Sequence, residues 1–304
     1  MLPKMPPSAG APGFLFVPPF RVQGYSIAGE QTVIQVPELD VCFDMGTCPR
    51  FALGSPFVAI SHGHMDHVGG LPYYFSQRMF QKMGVGTLTC HPDLDGPIRR
   101  MMESWQELER QKTPFRIVPL AHEAELRVKP DVALRAIEVA HTGPSLGYAL
   151  IEYRSKLRPE LRDEPQERLR ELKKQGVQIT HTLEIPLVAY TGDTQHAPAL
   201  YRDEFAKAKV VVSECTFFEP DHRERAALGK HLHVEDVARL LEVWEAEVVI
   251  LTHLSRRTNL GRVHQILRSR LTERDLERVH LLMDHRANRA RYERQLAEVT
   301  GDRE

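Results

Sequence analysis

Four side chains able to hold a metal ion, His62, His64, Asp66 and His67, stand within six residues, directly after the short apolar run Phe57–Ile60. Such a cluster limits what the chain can fold into, because its members must leave a strand end and turn together toward one point. Alternation along an extended segment sends His62 and His64 to the same side. A helix opening after them would put Asp66 and His67 in its first turn, where a carboxylate also accepts the unpaired backbone N–H groups. Imidazole and carboxylate donors suit Zn²⁺ first, with Mn²⁺ or Fe as alternatives. The chain has 15 histidines, and histidine is both the commonest metal ligand and the acid–base residue of neutral pH.

A chain of 304 residues can bury a substantial core without disulfides. Its formal net charge of −1 excludes a globally basic nucleic-acid binder but leaves room for a local basic patch. No apolar run reaches membrane-spanning length, so no membrane partner is expected. Cys42, Cys48, Cys90 and Cys215 form no Cys-x-x-Cys pair and no disulfide framework, which predicts a reducing cytoplasm. Residues 1–20 are rich in Pro, Gly and Ala and read as a flexible leader. Residues 21–304 read as one domain.

Strand-like runs at 25–28, 31–36, 41–43 and 57–60 precede helices at 66–83 and 95–111. Strands follow at 116–118, 132–139 and 147–153, then a charged helical insert, 164–175, within the interval 154–182. After it come strands at 185–190, 210–213, 248–251 and 279–282, with helices at 197–205, 234–245 and 263–270 and a last one from Arg286. Two strand-rich halves, each followed by helices, predict an α+β fold in which sheet packs on sheet with helices outside.

Three further residues stand where a strand meets a loop: His141 before Thr-Gly-Pro, Asp193 in Tyr-Thr-Gly-Asp-Thr, and His253 after Val248–Thr252. In stacked strands such ends gather at one sheet edge. Two metal ions need about six to eight ligands, which these residues and the cluster supply.

The order His-x-His-x-Asp-His, His, Asp, His resembles the metallo-β-lactamase superfamily, whose fold is an αββα sandwich. Finer features are similar to ribonuclease Z, the tRNA 3′-processing endoribonuclease: SHGHMDHVGGL at 61–71, HTGPSLGYAL at 141–150, YTGDT at 190–194 and SECTF at 213–217. The similarity covers roughly residues 24–255. It implies that His62, His64 and His141 hold one metal, that Asp66, His67 and His253 hold the second, and that Asp193 bridges them. It assigns Glu214 to support His231, which would protonate the leaving oxygen, while Asp66 orients or deprotonates the attacking water. The implied activity is that of a dinuclear phosphodiesterase acting through a metal-bound hydroxide, on RNA such as a tRNA precursor, with a homodimer as a further expectation.

Several features differ from that pattern. Gly24–Glu30 reads GYSIAGE, Ser213 opens the SECTF motif, and the interval from His141 to Asp193 has no Gly-Pro tip of the kind that grips tRNA in the family. The alternative is therefore a hydrolase of a small ester, lactone or cyclic phosphodiester on the same core. Glu214 and His231 could also be a structural ion pair. Residues 154–174 hold eight basic and five acidic side chains, an RNA-gripping patch or a solvated helix face laced by ion pairs. Trp105 reads as a core residue of its helix, and Cys215 as a small buried one.

Overall fold

A computed structural model describes residues 12–301. Its first sheet runs β1(Gly13–Val17), β2(Phe20–Ile27), β3(Gln31–Val36), β4(Val41–Phe43), β5(Phe57–Ala59), β6(Thr87–Cys90) and β7(Arg116–Pro119), in that spatial order. The second contains β8(Glu125–Lys129), β9(Val132–Glu138), β10(Leu146–Leu157), β11(Thr180–Tyr190), β12(Val210–Glu214), β13(Val248–Thr252) and β14(Val279–Leu281), also in sequence order. Each sheet is antiparallel through its first four strands and parallel through its last four. The change has a chain-length cause. Tight turns can join antiparallel neighbours, whereas parallel neighbours need a longer crossover, and several of the crossovers here carry helices.

Those helices cover the outer faces. On the first sheet lie α1(Met65–Val68), α2(Leu71–Phe80) and α3(Pro92–Glu109). The insert carries α4(Gln166–Lys174), and α5(Asp203–Ala206), α6(Arg223–Gly229), α7(Val234–Leu241), α8(Leu260–Arg270), α9(Glu273–Arg278) and α10(His285–Thr300) follow. Three apolar clusters separate four layers. One lies between the sheets and includes Ile34, Phe43, Tyr148, Val212 and Ile250. A second joins the first sheet to α2 and α3 through Val58, Leu71, Phe75 and Met102. A third joins the second sheet to α7 and α8 through Val211, Val249, Val237, Leu240 and Val263. The architecture is the expected αββα sandwich.

Parallel strands in register bring their carboxyl ends to one edge, and loops leaving that edge can converge. Residues 61–67 follow β5, residues 191–194 follow β11, Glu214 ends β12 and His253 follows β13. The fold thus places the cluster and its distant partners together.

Some expectations need correction. The leader reading of 1–20 fails over Gly13–Val17, a fully buried strand paired with β2; residues 1–11 lie outside those described. Its apolar FLFV run outweighs the flanking Pro and Gly. The helix expected over 66–83 is two helices, broken at Gly69–Gly70. A Cβ on Gly70 would meet the backbone of Thr47 and Cys48 at 2.6–2.8 Å, so the chain passes too close there for any side chain. Trp105 is 41% exposed, because the buried stripe of α3 runs through Ile98 and Met102 and leaves Trp105 beside it.

The insert is also more than a helix. Beyond Glu152 strand β10 pairs only with β11, as far as Leu157 opposite Thr180, and α4 sits past that end with no buried residue. The pair forms a ribbon projecting past the sheet. No helix among the described residues is long and apolar enough to cross a membrane.

Candidate metal centre

All seven residues expected as ligands converge. His62, His64 and His141 present nitrogen atoms within 4.8 Å of one another, and so do the donor atoms of Asp66, His67 and His253. Asp193 lies between the two groups. Its Oδ2 is 3.2 Å from His253 Nε2, 3.4 Å from His67 Nε2 and 3.8 Å from His62 Nε2.

The nitrogen that each ring offers is fixed from behind. His67 Nδ1 donates to Asp44 Oδ2 at 2.8 Å. His62 Nδ1 meets Ser61 Oγ at 3.0 Å; that hydroxyl spends its own proton on Asp44, so the imidazole is the donor. His141 Nδ1 donates to the Lys230 carbonyl at 3.0 Å. His253 Nδ1 meets Thr216 Oγ1 at 2.9 Å, and Thr216 donates to Glu214 Oε2 at 2.8 Å, so His253 again donates. In these four rings Nδ1 is engaged from behind, so Nε2 is the nitrogen turned toward the centre. His64 is reversed, with Nε2 on Thr142 Oγ1 and Nδ1 facing His62 Nε2 at 2.9 Å.

The backbone supports the same convergence. Gly192 has φ +60, and a Cβ there would stand 2.7 Å from that of Ser61, so only glycine lets the Asp193 loop close on the cluster. His253 itself has φ +62 and Asp44 φ +56. Such left-handed non-glycine residues persist where surrounding bonds hold them. Here His253 N donates to Ser26 Oγ at 2.9 Å, and Asp44 N to the Ala59 carbonyl at 2.9 Å. Asp66 is held by Gly29 N at 2.9 Å, from the loop following β2.

Charge follows burial and neighbours. Burial pushes His62 down to about 2, helped by the nearby His67. Burial would also raise Asp193, but the imidazoles of His253 and His67 outweigh it and hold the carboxyl well below its usual range. Burial works against charge on His67 as well; Asp193 and Asp44 prevail and raise it well above its ordinary value.

Glu214 and His231 adjoin this cluster. His231 Nδ1 donates to Glu214 Oε1 at 2.9 Å, and the same oxygen accepts from Thr194 N at 2.7 Å. The His231 ring lies 5.0 Å from that of His141 and 5.1 Å from that of His253, centroid to centroid. Burial lowers the His231 imidazole, and the Glu214 charge more than offsets this, leaving it above its ordinary value. Cys215 is fully buried, and burial raises its thiol well above the usual range, as befits a packing residue. Asp44, Ser26, Thr216 and Lys230 were not legible as parts of the centre in the sequence.

The β-lactamase superfamily domain matches residues 54–254 of the chain. tRNase Z TRZ1 of Arabidopsis thaliana is 32% identical to it over 247 residues, covering 78% of this chain and 86% of the relative. The chain belongs to the tRNase Z family. A second tRNase Z relative, the chloroplastic TRZ2 of Arabidopsis thaliana, is 29% identical over 252 residues, 81% of this chain and 70% of the relative. Among solved structures, human tRNase Z, short form, superposes with a TM-score of 0.53 at 16% identity, covering 77% of this chain and 92% of that one. The superfamily match spans His62 to His253 and therefore every expected ligand, while Asp44 lies before it.

Membership in the tRNase Z family implies divalent metal ions, and the residues present fit them. The Nε2 atoms of His67, His141 and His253 are buried with no hydrogen-bond partner. Buried polar atoms are otherwise almost always satisfied, so three orphans aimed at one centre mark a place for a cation. The facing nitrogens of His62 and His64 likewise require a proton or a cation between them.

Proposed function

We propose that the chain is a dinuclear, zinc-dependent endoribonuclease that hydrolyses a phosphodiester of tRNA precursors. Family membership places it among the metal-dependent hydrolases acting on phosphodiester bonds. The observation that carries the finer reading is the Glu214–His231 pair at 2.9 Å, seated against the seven-ligand cluster. An ester with a good leaving group needs no proton donor. A ribose alkoxide does, and a charged imidazole held by a buried carboxylate supplies one.

In this reading His62, His64 and His141 hold one ion, Asp66, His67 and His253 the other, and Asp193 both. Bound ions of this kind activate water at neutral pH and neutralise phosphoryl charge. The protein's own groups do the rest. Asp66, fixed by Gly29 N, orients the attacking water or accepts its proton. His231 offers Nε2 to the departing oxygen, because Nδ1 is committed to Glu214. Thr194 N and Thr216 Oγ1 complete the shell of Glu214 and keep its charge in place.

The ribbon supports a long substrate. Strand β10 runs 12 residues from Leu146 beside the centre to Leu157. At ~3.3 Å per residue the strand places Leu157, where the segment carrying α4 begins, about 35 Å from Leu146, near the length of one helical turn of duplex. Lys156, Arg162, Arg170, Lys173 and Lys174 have no carboxylate partner among the described residues, whereas Arg154, Arg158 and Arg168 are ion-paired. Unpaired cations at that distance suit the backbone of a structured RNA and offer nothing to a small ester.

The test is to incubate the metal-loaded chain with precursor tRNA and with bis-p-nitrophenyl phosphate side by side. Cleavage of both supports the reading. Hydrolysis of bis-p-nitrophenyl phosphate with intact precursor tRNA overturns its RNA component.

A further inference from the structure

A cavity of about 500 Å³ opens next to the metal centre and shares a wall with it. The shared residue is Thr216, whose hydroxyl bonds both Glu214 and His253. Beyond it stands Phe217, half-buried, its ring 6.2 Å from that of His231. Any group lying on Phe217 is therefore beside the proton-donating imidazole.

The walls combine two chemistries. Val263 and Ile266 form an apolar, buried floor. Arg225 and Arg257 line the cavity, are exposed, and have no carboxylate partner among the described residues. Arg225 sits 5.5 Å above the centre of the Phe217 ring. Arg262, by contrast, is tied to Glu219 through two bonds of 2.9 Å and serves as a fixed edge. An aromatic ring over an apolar floor suits a flat heterocycle, and unpaired guanidinium groups suit a phosphate. A nucleotide carries both on one ribose.

We propose that this cavity is a subsite for a single unstacked nucleotide flanking the reacting phosphate. Its base takes the face of Phe217 that the exposed Arg225 covers, displacing that side chain, and its phosphate is held by Arg257 and the freed Arg225. Assigning the nucleotide to an RNA substrate rests on the ribonuclease reading above; the affinity of the cavity for a nucleotide does not.

The test uses the full, metal-loaded chain and two ligands that contain no phosphodiester to cleave, adenosine 5′-monophosphate and ribose 5-phosphate, titrated calorimetrically. Both carry the phosphate, so their difference reports the base. The nucleotide should bind on the order of tenfold more tightly, the scale of one base–aromatic stack. Phe217→Leu should erase that difference and Phe217→Tyr should keep it, with thermal melts showing that each variant is folded. Arg257→Ala should weaken both ligands and flatten the salt dependence. Equal affinity for the two ligands in the unaltered chain, or a difference that survives Phe217→Leu, would overturn the subsite. If the base contrast holds while precursor tRNA is not cleaved, the ribonuclease reading fails and the nucleotide site stands. If precursor tRNA is cleaved without any contrast, the subsite alone fails.

Discussion

Asp44 Oδ2 lies 2.8 Å from His67 Nδ1, and the same carboxylate accepts from the Tyr190 hydroxyl at 2.6 Å and from Ser61 through both its N–H and its hydroxyl. One buried acid on the first sheet thus fixes the orientation of a proposed ligand and ties it to a tyrosine of the second sheet. Supporting bonds of this kind typically change metal affinity by about 10- to 100-fold.

Asp44→Asn should therefore lower affinity for the metal held by His67 by roughly that factor while leaving the other ligands in place. Competition with a chelator, read by metal content per chain, measures it. Unchanged affinity would show that Asp44 serves packing alone. Tyr190→Phe should cost much less, since three donors to Asp44 would remain.

Asp193→Ala should remove one or both metals and abolish turnover, because its Oδ2 reaches both donor groups. The fold should persist, since the apolar clusters between and outside the sheets do not depend on the site. Elemental analysis and circular dichroism check the two halves. Full turnover with two bound metals would exclude a bridging role.

Loading the centre should release protons. Asp193 and Asp44 hold His67 charged at neutral pH against the effect of burial, and only the neutral ring can take a metal. Affinity should rise with pH, and a metal titration in weak buffer near pH 7 should acidify the solution. Loading without proton release would mean that His67 is already neutral in the free chain.

A separate acid sensitivity resides on β14, outside the proposed ligand set. His280 on β14 is pushed down to about 4 by burial and by the neighbouring Arg291 and Arg294 on α10. Between pH 6.5 and 4 the unfolded chain binds a proton at this histidine and the folded chain does not. Its contribution is thus present at neutral pH and is lost as pH falls through that window, by about 2 kcal/mol at pH 5. His280→Gln should flatten the decline in urea-unfolding stability between pH 7 and 5 by that amount. A parallel decline in both proteins would exclude His280 as the source.

Much of this was readable in the sequence because the chemistry is written contiguously. His62 to His67 sit together, and the distant ligands follow apolar runs whose length and punctuation mark strand ends. The supporting groups were not readable, since Asp44 meets His67 across 23 positions and Thr216 meets His253 across 37. Only the stacking of parallel strands creates those pairs. Strand β8 is not legible as a strand in the sequence, because ELRVK carries charges on its exposed face. The ribbon reads in sequence as a helical insert for the same reason, as its strands extend through polar residues with no core to bury.

The proposed role of His231 is that of a proton donor rather than a ligand, and His231→Ala tests it. The variant should keep both metals. Its rate on precursor tRNA, whose leaving group is a poor alkoxide, should fall by about 10² to 10⁴. On bis-p-nitrophenyl phosphate, whose phenolate departs unaided, the loss should be small, so the ratio of the two rates should shift by nearly the whole of the first factor. Equal losses on both substrates, or loss of a metal, would contradict the assignment and make His231 a ligand or a structural residue.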